Sequence, residues 1–122
     1  DLSPTRDFNY VEDTCRGLIA IMENNNTIGQ TINIGSSTEI SIGDTLEIIK
    51  NLMASDVKFI RDNQRFRPEK SEVFRLFCDN SKIISLTDFK PKISLEEGLK
   101  LTIDWITRPN NLRKYKSKLY NV

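Results

Sequence analysis

The chain has 122 residues, 38% of them apolar and 29% charged, with 18 Lys and Arg against 17 Asp and Glu. A net charge of +1 excludes a binder that relies on a uniformly basic surface, so no nucleic-acid partner is expected. The sequence has no histidine, which excludes imidazole-based nucleophilic catalysis and His-bearing zinc sites.

The length fits a single domain that buries roughly two-thirds of its unfolded surface. The longest apolar run, Leu18-Ile19-Ala20-Ile21-Met22, is far short of the about 20 residues of a membrane span. No basic-then-apolar leader precedes it, so a cytoplasmic protein without a membrane partner is expected. Cys15 and Cys78 form no CxxC pair and read as buried free thiols. The chain opens on Asp1 rather than Met and reads as part of something longer.

In chain order, Val11, Cys15, Leu18, Ile19 and Met22 follow steps of a helical face. The run Asn24-Asn25-Asn26 stops that helix, and a turn with Gly29 follows. Thr31-Ile32-Asn33-Ile34 alternates and is β-branched, which predicts a short strand ending at Gly35. Ser36-Ser37-Thr38 is loop. Ser41 is placed to cap a second helix carrying Ile42, Leu46, Ile49 and Met53. Val57-Lys58-Phe59-Ile60 predicts a second strand.

Residues 61 to 75 lose all period and read as one long loop, with Pro68 holding Arg67 extended. Asp79 is placed to cap a short helix with Ile83, Ile84 and Leu86. Ser94 and Glu97 fit a capping box ahead of a helix with Leu99, Ile103 and Ile106. That helix stops before Pro109, and Trp105 on it reads as core. The pattern is α/β: a small, mainly helical domain with short strands. No strand is followed by GxGxxG or GxxxxGK[ST], so no nucleotide-binding Rossmann unit or P-loop lies in these residues.

Two guanidinium groups stand out chemically. Arg6 precedes the first helix, and Arg67 sits in the irregular loop. Two such forks meeting from separate loops would clamp a diphosphate through paired charge-assisted hydrogen bonds. The alternative is that Arg6 pairs with Asp7 or Asp13 and that the loop arginines are solvated. Glu69 and Glu72 flank Arg67 and can accept sugar or ribose hydroxyls, although local ion pairs explain them equally well. No tyrosine has a lysine four residues on, so a Tyr-x-x-x-Lys acid/base pair is missing. The basic residues Arg113, Lys114, Lys116 and Lys118 read as a solvated end.

Several segments together resemble one family. Thr5-Arg6-Asp7-Phe8-Asn9-Tyr10-Val11-Glu12-Asp13 is similar to the RD-(F/W)-x-Y-V-x-D segment of extended short-chain dehydrogenase/reductases acting on nucleotide sugars. Asn33-Ile34-Gly35 with Glu39-Ile40-Ser41 resembles their NIG…E-x-S stretch. Arg67-Pro68 with Asp79-Asn80-Ser81-Lys82 resembles their RP…D-x-SK stretch. Phe89-Lys90-Pro91, Leu95-Glu96-Glu97-Gly98-Leu99 and Trp105 are similar to the closing helix. Within the family, Arg67-Pro68-Glu69-Lys70-Ser71-Glu72-Val73 looks most like 4,6-dehydratases of N-acetylglucosamine-type nucleotides, although epimerases and decarboxylases share most of the motifs.

The resemblance implies that residues 1–122 are the C-terminal substrate-binding domain of an NAD-dependent epimerase/dehydratase, detached from its Rossmann domain. It implies that NAD(P) is bound by that missing N-terminal domain and that none is bound here, with no catalytic residue in this chain. By the same pattern Arg6 and Arg67 contact the diphosphate of a nucleotide-sugar substrate, and Glu72 the ribose. A homodimeric parent and an inactive isolated chain are implied as well. Outside the enzyme class, the residues also allow a non-catalytic nucleotide- or anion-binding module, or a basic-tailed interaction domain.

Overall fold

The computed structural model describes residues 1–60 and 73–115. Its elements are β1 (Thr5–Arg6), α1 (Val11–Met22), a 3₁₀ turn (Asn25–Thr27), β2 (Ile40–Ser41), α2 (Ile42–Leu52), β3 (Arg75–Leu76), α3 (Ser81–Leu86), α4 (Leu95–Ile106) and α5 (Pro109–Leu112). The fold is α/β, with helices around a three-stranded ribbon in the order β2-β1-β3. β1 runs antiparallel to β2, Thr5 beside Ser41 and Arg6 beside Ile40. It runs parallel to β3, Thr5 beside Arg75 and Arg6 beside Leu76. Asp7 N donates to Leu76 O at 3.0 Å, extending the β1–β3 ladder by one bond.

The helix boundaries follow their caps. Ser41 Oγ accepts the N–H of Asp44 at 3.0 Å and opens α2. Ser94 Oγ accepts the N–H of Glu97 at 3.2 Å and opens α4. These bonds satisfy amides that have no partner inside the helix. At α3 the cap position falls to Asn80 rather than Asp79. Asp79 instead accepts the N–H of Ser81 at 2.9 Å from one residue earlier. Pro109, expected only to end α4, also starts α5, where its missing N–H costs nothing.

Two expected strands are absent. Among the described residues, 31–34 join no ladder and 57–60 carry no strand. The ribbon uses other segments, with β1 in the middle pairing with both β2 and β3. Arg75 lies on β3 rather than in an irregular loop, while residues 61–72 of that expected loop, with Arg67 and Glu72, lie outside the described residues.

The interior is small. Among the described residues only Ile83 and Phe89 are buried large apolar side chains. Trp105 is 44% exposed and Cys15 is exposed, so neither is the core residue its type predicts; Cys78 is half-buried. Polar anchors hold much of the packing. Asp13 has no exposed surface and accepts the amides of Lys92 at 3.1 Å and Ile93 at 2.9 Å while pairing with Arg16. This fixes the start of α4 against α1.

Candidate functional site

Arg6 stands on the central strand of the ribbon, where register decides what it can meet. Neighbours across a ladder share a face, and successive residues alternate. Arg6 therefore shares its face with Ile40 and Leu76, while Thr5, Ser41 and Arg75 occupy the other. One Arg6 Nη donates to Thr5 O at 2.7 Å, which holds the guanidinium against its own strand.

The opposite face carries a separate cluster. Glu39 accepts from Arg75 Nε at 2.8 Å, from Arg75 Nη2 at 2.8 Å and from Thr5 Oγ1 at 2.9 Å. The Arg75 guanidinium also lies 4.9 Å from the centroid of the Phe77 ring. Hydrogen bonds from Arg75, then from Thr5, lower the Glu39 pKa below its ordinary value. The same pairing raises that of Arg75. This fork is thus committed to a carboxylate on the face away from Arg6. Nothing in the residue pattern around Arg75 announced the pair, because its partner lies 36 positions away.

Asp7, next to Arg6, is the hub that brings the dispersed motifs together. Its Oδ1 accepts from the N–H of Ser36 at 3.1 Å and the hydroxyl at 2.6 Å. Its Oδ2 accepts the amides of Ser37 at 3.0 Å and Cys78 at 3.2 Å. Ser37 Oγ donates to Cys78 O at 2.7 Å, and buried Asn80 Nδ2 donates to Gly35 O at 2.9 Å. The RD, NIG and DNSK segments thus form one hydrogen-bonded knot centred on Asp7, the residue after Arg6. Gly35 belongs there for space: a Cβ on it would come 2.4 Å from Cys78 Cβ. Burial, followed by the charges of Asp7 and Asp79, pushes the Cys78 thiol above its ordinary pKa.

Beside the knot is an open groove of about 480 Å³ lined by Asp7, Ile32, Asn33, Ile34, Leu76, Phe77 and Cys78. A larger hollow of about 610 Å³ lies at α2 and α4. Its lining mixes Glu96, Glu97 and Asp104 with Lys100 and holds none of the arginines singled out from the sequence, whereas the groove beside the knot is lined by Asp7, the residue next to Arg6. Of the sequence-predicted site residues, Arg6 is described and stands on β1, whereas Arg67 and Glu72 fall outside the described residues. Sequence reasoning gave Asp7 at most the part of an ion-pair partner. The one available signal for its role was its place in the RD motif.

Comparison with known proteins follows the same motifs. The family model described as GDP-mannose 4,6 dehydratase matches residues 1–102. The UDP-glucuronate 4-epimerase of Thermodesulfobacterium geofontis is 36% identical over 107 residues, covering 86% of this chain and 31% of that protein. The solved epimerase of Methanothermobacter thermautotrophicus superposes with a TM-score of 0.82 at 36% identity, over 93% of this chain and 33% of that one. The UDP-glucuronic acid 4-epimerase of Bacillus cereus, solved with UDP-glucuronic acid and NAD, superposes with a TM-score of 0.75 at 30% identity, over 94% of this chain and 34% of that one. The chain therefore belongs to the NAD-dependent epimerase/dehydratase family of extended short-chain dehydrogenase/reductases. It spans about a third of the length of the relatives it matches, which include nucleotide-sugar epimerases and decarboxylases.

Proposed function

We propose that these residues are the C-terminal substrate-binding part of an NAD-dependent nucleotide-sugar 4,6-dehydratase. The observation that carries the reading is the position of Arg6: a guanidinium on the middle strand of the ribbon, backed by the Asp7 knot that joins three family motifs. In this reading Arg6 and Arg67 bind the two phosphates of the nucleotide sugar, and Glu72 accepts from the ribose. The ribbon fixes the Arg6 backbone, so little of its freedom is left to lose on binding.

The sequence has no glycine-rich strand-to-helix turn on which a dinucleotide pyrophosphate would lie. The proposal accordingly gives the nicotinamide cofactor to the part of the protein outside these residues and catalysis to groups carried there. When bound, that cofactor accepts a hydride from the sugar and returns it. This chain's share is to bind and orient the nucleotide end, and the isolated chain is expected to be inactive and not to bind NADH.

The match to the GDP-mannose 4,6 dehydratase model and the Arg67–Val73 sequence favour dehydration. A second reading, a 4-epimerase, is favoured by the epimerases among the similar structures. Product mass decides between them. The assembled enzyme carrying this chain is incubated with UDP-, GDP- and dTDP-sugars. Loss of one water supports the dehydratase, and unchanged mass with altered stereochemistry supports the epimerase. No turnover of any nucleotide sugar would overturn both.

A further inference from the structure

Ser37 holds a backbone conformation that its side chain disfavours. Its φ is 55°, in the left-handed region that residues with a Cβ rarely enter. Among the described residues Ala54, with φ 46°, is the other non-glycine case. Ala54 is accounted for by the end of α2: its N–H donates to Asn51 O and that of Ser55 to Lys50 O, the pairing of a left-handed helix stop. No helix ends at Ser37. Hydrogen bonds to two distant segments hold it there instead.

The Ser37 N–H donates to Asp7 Oδ2 at 3.0 Å, while the Ser36 N–H donates to Oδ1 at 3.1 Å. Successive amides turned to one side by a left-handed residue form a concave seat for an anion, and here the anion is the protein's own carboxylate. The Ser37 hydroxyl is taken up by the exit of β3. It donates to Cys78 O at 2.7 Å and accepts the Asn80 N–H at 3.3 Å. Cys78 in turn donates its N–H to Asp7 Oδ2, and Leu76 O accepts the Asp7 N–H. Backbone and hydroxyl of one serine thus close a ring of bonds through Asp7 and Cys78. The ring includes the residue after Arg6, and Leu76 is the ladder neighbour of Arg6 itself. Strain of this kind persists only where the surroundings over-determine it, and it gathers at sites that need a fixed geometry.

We infer that Ser37 is a positioning residue: its left-handed backbone and its hydroxyl lock the Asp7 carboxylate to Cys78, and the lock fixes the strand end from which Arg6 meets the diphosphate of the nucleotide sugar. The inference rests on the proposed substrate-binding assignment. A hydroxyl that acts this way touches no substrate, so its loss should be felt through Arg6 and not beside it.

The test uses the assembled enzyme carrying this chain, with UDP, GDP and dTDP as calorimetric probes and the tightest of them kept. Ser37→Ala removes the hydroxyl and keeps the strain, whereas Ser37→Gly removes both. Each is expected to weaken binding about fivefold, the equivalent of one neutral hydrogen bond, and to speed deuterium exchange at the amides of Asp7 and Cys78. Ser37→Gly should melt no lower than Ser37→Ala. In an Arg6→Ala background the further loss from Ser37→Gly should stay below about twofold, because the group being positioned is gone. The full loss in that background would mean that Ser37 does not act through Arg6, and would overturn the proposal. Wild-type affinity or unchanged exchange at Cys78 in Ser37→Gly would overturn it as well. Ser37→Gly is free of the backbone strain, so it decides the question even where Ser37→Ala fails to fold. Faster exchange at Cys78 with no nucleoside diphosphate bound by the wild type would sink the substrate-binding assignment and leave the lock on Asp7 standing.

Discussion

The carboxylate of Asp13 accepts the backbone N–H of Ile93 at 2.9 Å, 80 residues further along the chain. It accepts the Lys92 amide as well, so one fully buried side chain orients the lead-in to α4. Replacing it with alanine strands those amides and the Arg16 guanidinium. Bonds to a charged group contribute about 1.5–3 kcal/mol each, and part of this is recovered by relaxation. Asp13→Ala is therefore expected to lower stability by about 3 kcal/mol in urea titration, with Asp13→Asn intermediate. A shift below about 0.5 kcal/mol would mean that the amides find water instead.

Gly35 and Cys78 make a second measurable pair. The Cβ added in Gly35→Ala would sit 2.4 Å from Cys78 Cβ and 2.6 Å from Sγ. Overpacking of this kind costs about 1–3 kcal/mol. Removing the opposing Cβ in Gly35→Ala/Cys78→Gly should recover most of the loss beyond that of Cys78→Gly alone. A double-mutant cycle by thermal melting measures the coupling, and additivity of the two changes would refute the steric account.

The Glu39–Arg75 pair sets a pH dependence. The folded-state pKa of Glu39 lies below the ordinary 4.5, so its contribution to stability is fully present above the unfolded value and is lost as pH falls through the folded one. Both partners are solvent-accessible, which keeps the effect small and salt-sensitive. Melting curves between pH 6 and 3 should show a steeper acid-side loss in wild type than in Glu39→Gln. In 1 M salt the two profiles should converge. Parallel profiles at low salt would exclude Glu39 as a contributor.

For the substrate site, Arg6→Ala and Arg67→Ala in the assembled enzyme are each expected to weaken nucleotide-sugar binding roughly 10- to 150-fold, the equivalent of losing about 1.5–3 kcal/mol. Lysine at either position should restore only part, because the charge remains and the fork is lost. Arg75→Ala is the internal control, since register puts Arg75 on the ribbon face away from Arg6. Calorimetry that finds Arg75→Ala more damaging than Arg6→Ala would place the diphosphate on the other face.

The helices were legible because their signals are local. Ser41 and Ser94 cap where side-chain chemistry says they should, and the period of Val11 through Met22 gave α1. The strands were not, because a strand is defined by its partner. Residues 31–34 have the right alternation and no mate among the described residues, whereas Thr5–Arg6 and Arg75–Leu76 have little pattern and pair across 70 positions. The apolar face of α1 was legible from its period, but the burial expected of Cys15 on it was not met, since periodicity says that a face is apolar and not what covers it. Arg6 was singled out first as a guanidinium ahead of α1 and then by its motif. The structural roles of Asp7 and Glu39 depend on groups dozens of residues distant, which no spacing rule reaches.

The strand order carries a consequence for how the protein is made. β1 precedes both of its partners in the chain, yet it is the middle strand of the ribbon, flanked by β2 and β3. On the ribosome, Thr5 and Arg6 can pair with Ile40 and Ser41 well before Arg75 exists. At typical elongation rates of about 5–20 residues per second, the wait for β3 lasts about 2–7 s. Through that interval one edge of β1 stays open and Cys78 has not yet reached Asp7. The carboxylate beside Arg6 is the last part of the knot to be satisfied, so anything that stalls synthesis between β2 and β3 would hold the chain in a state with a bare strand edge.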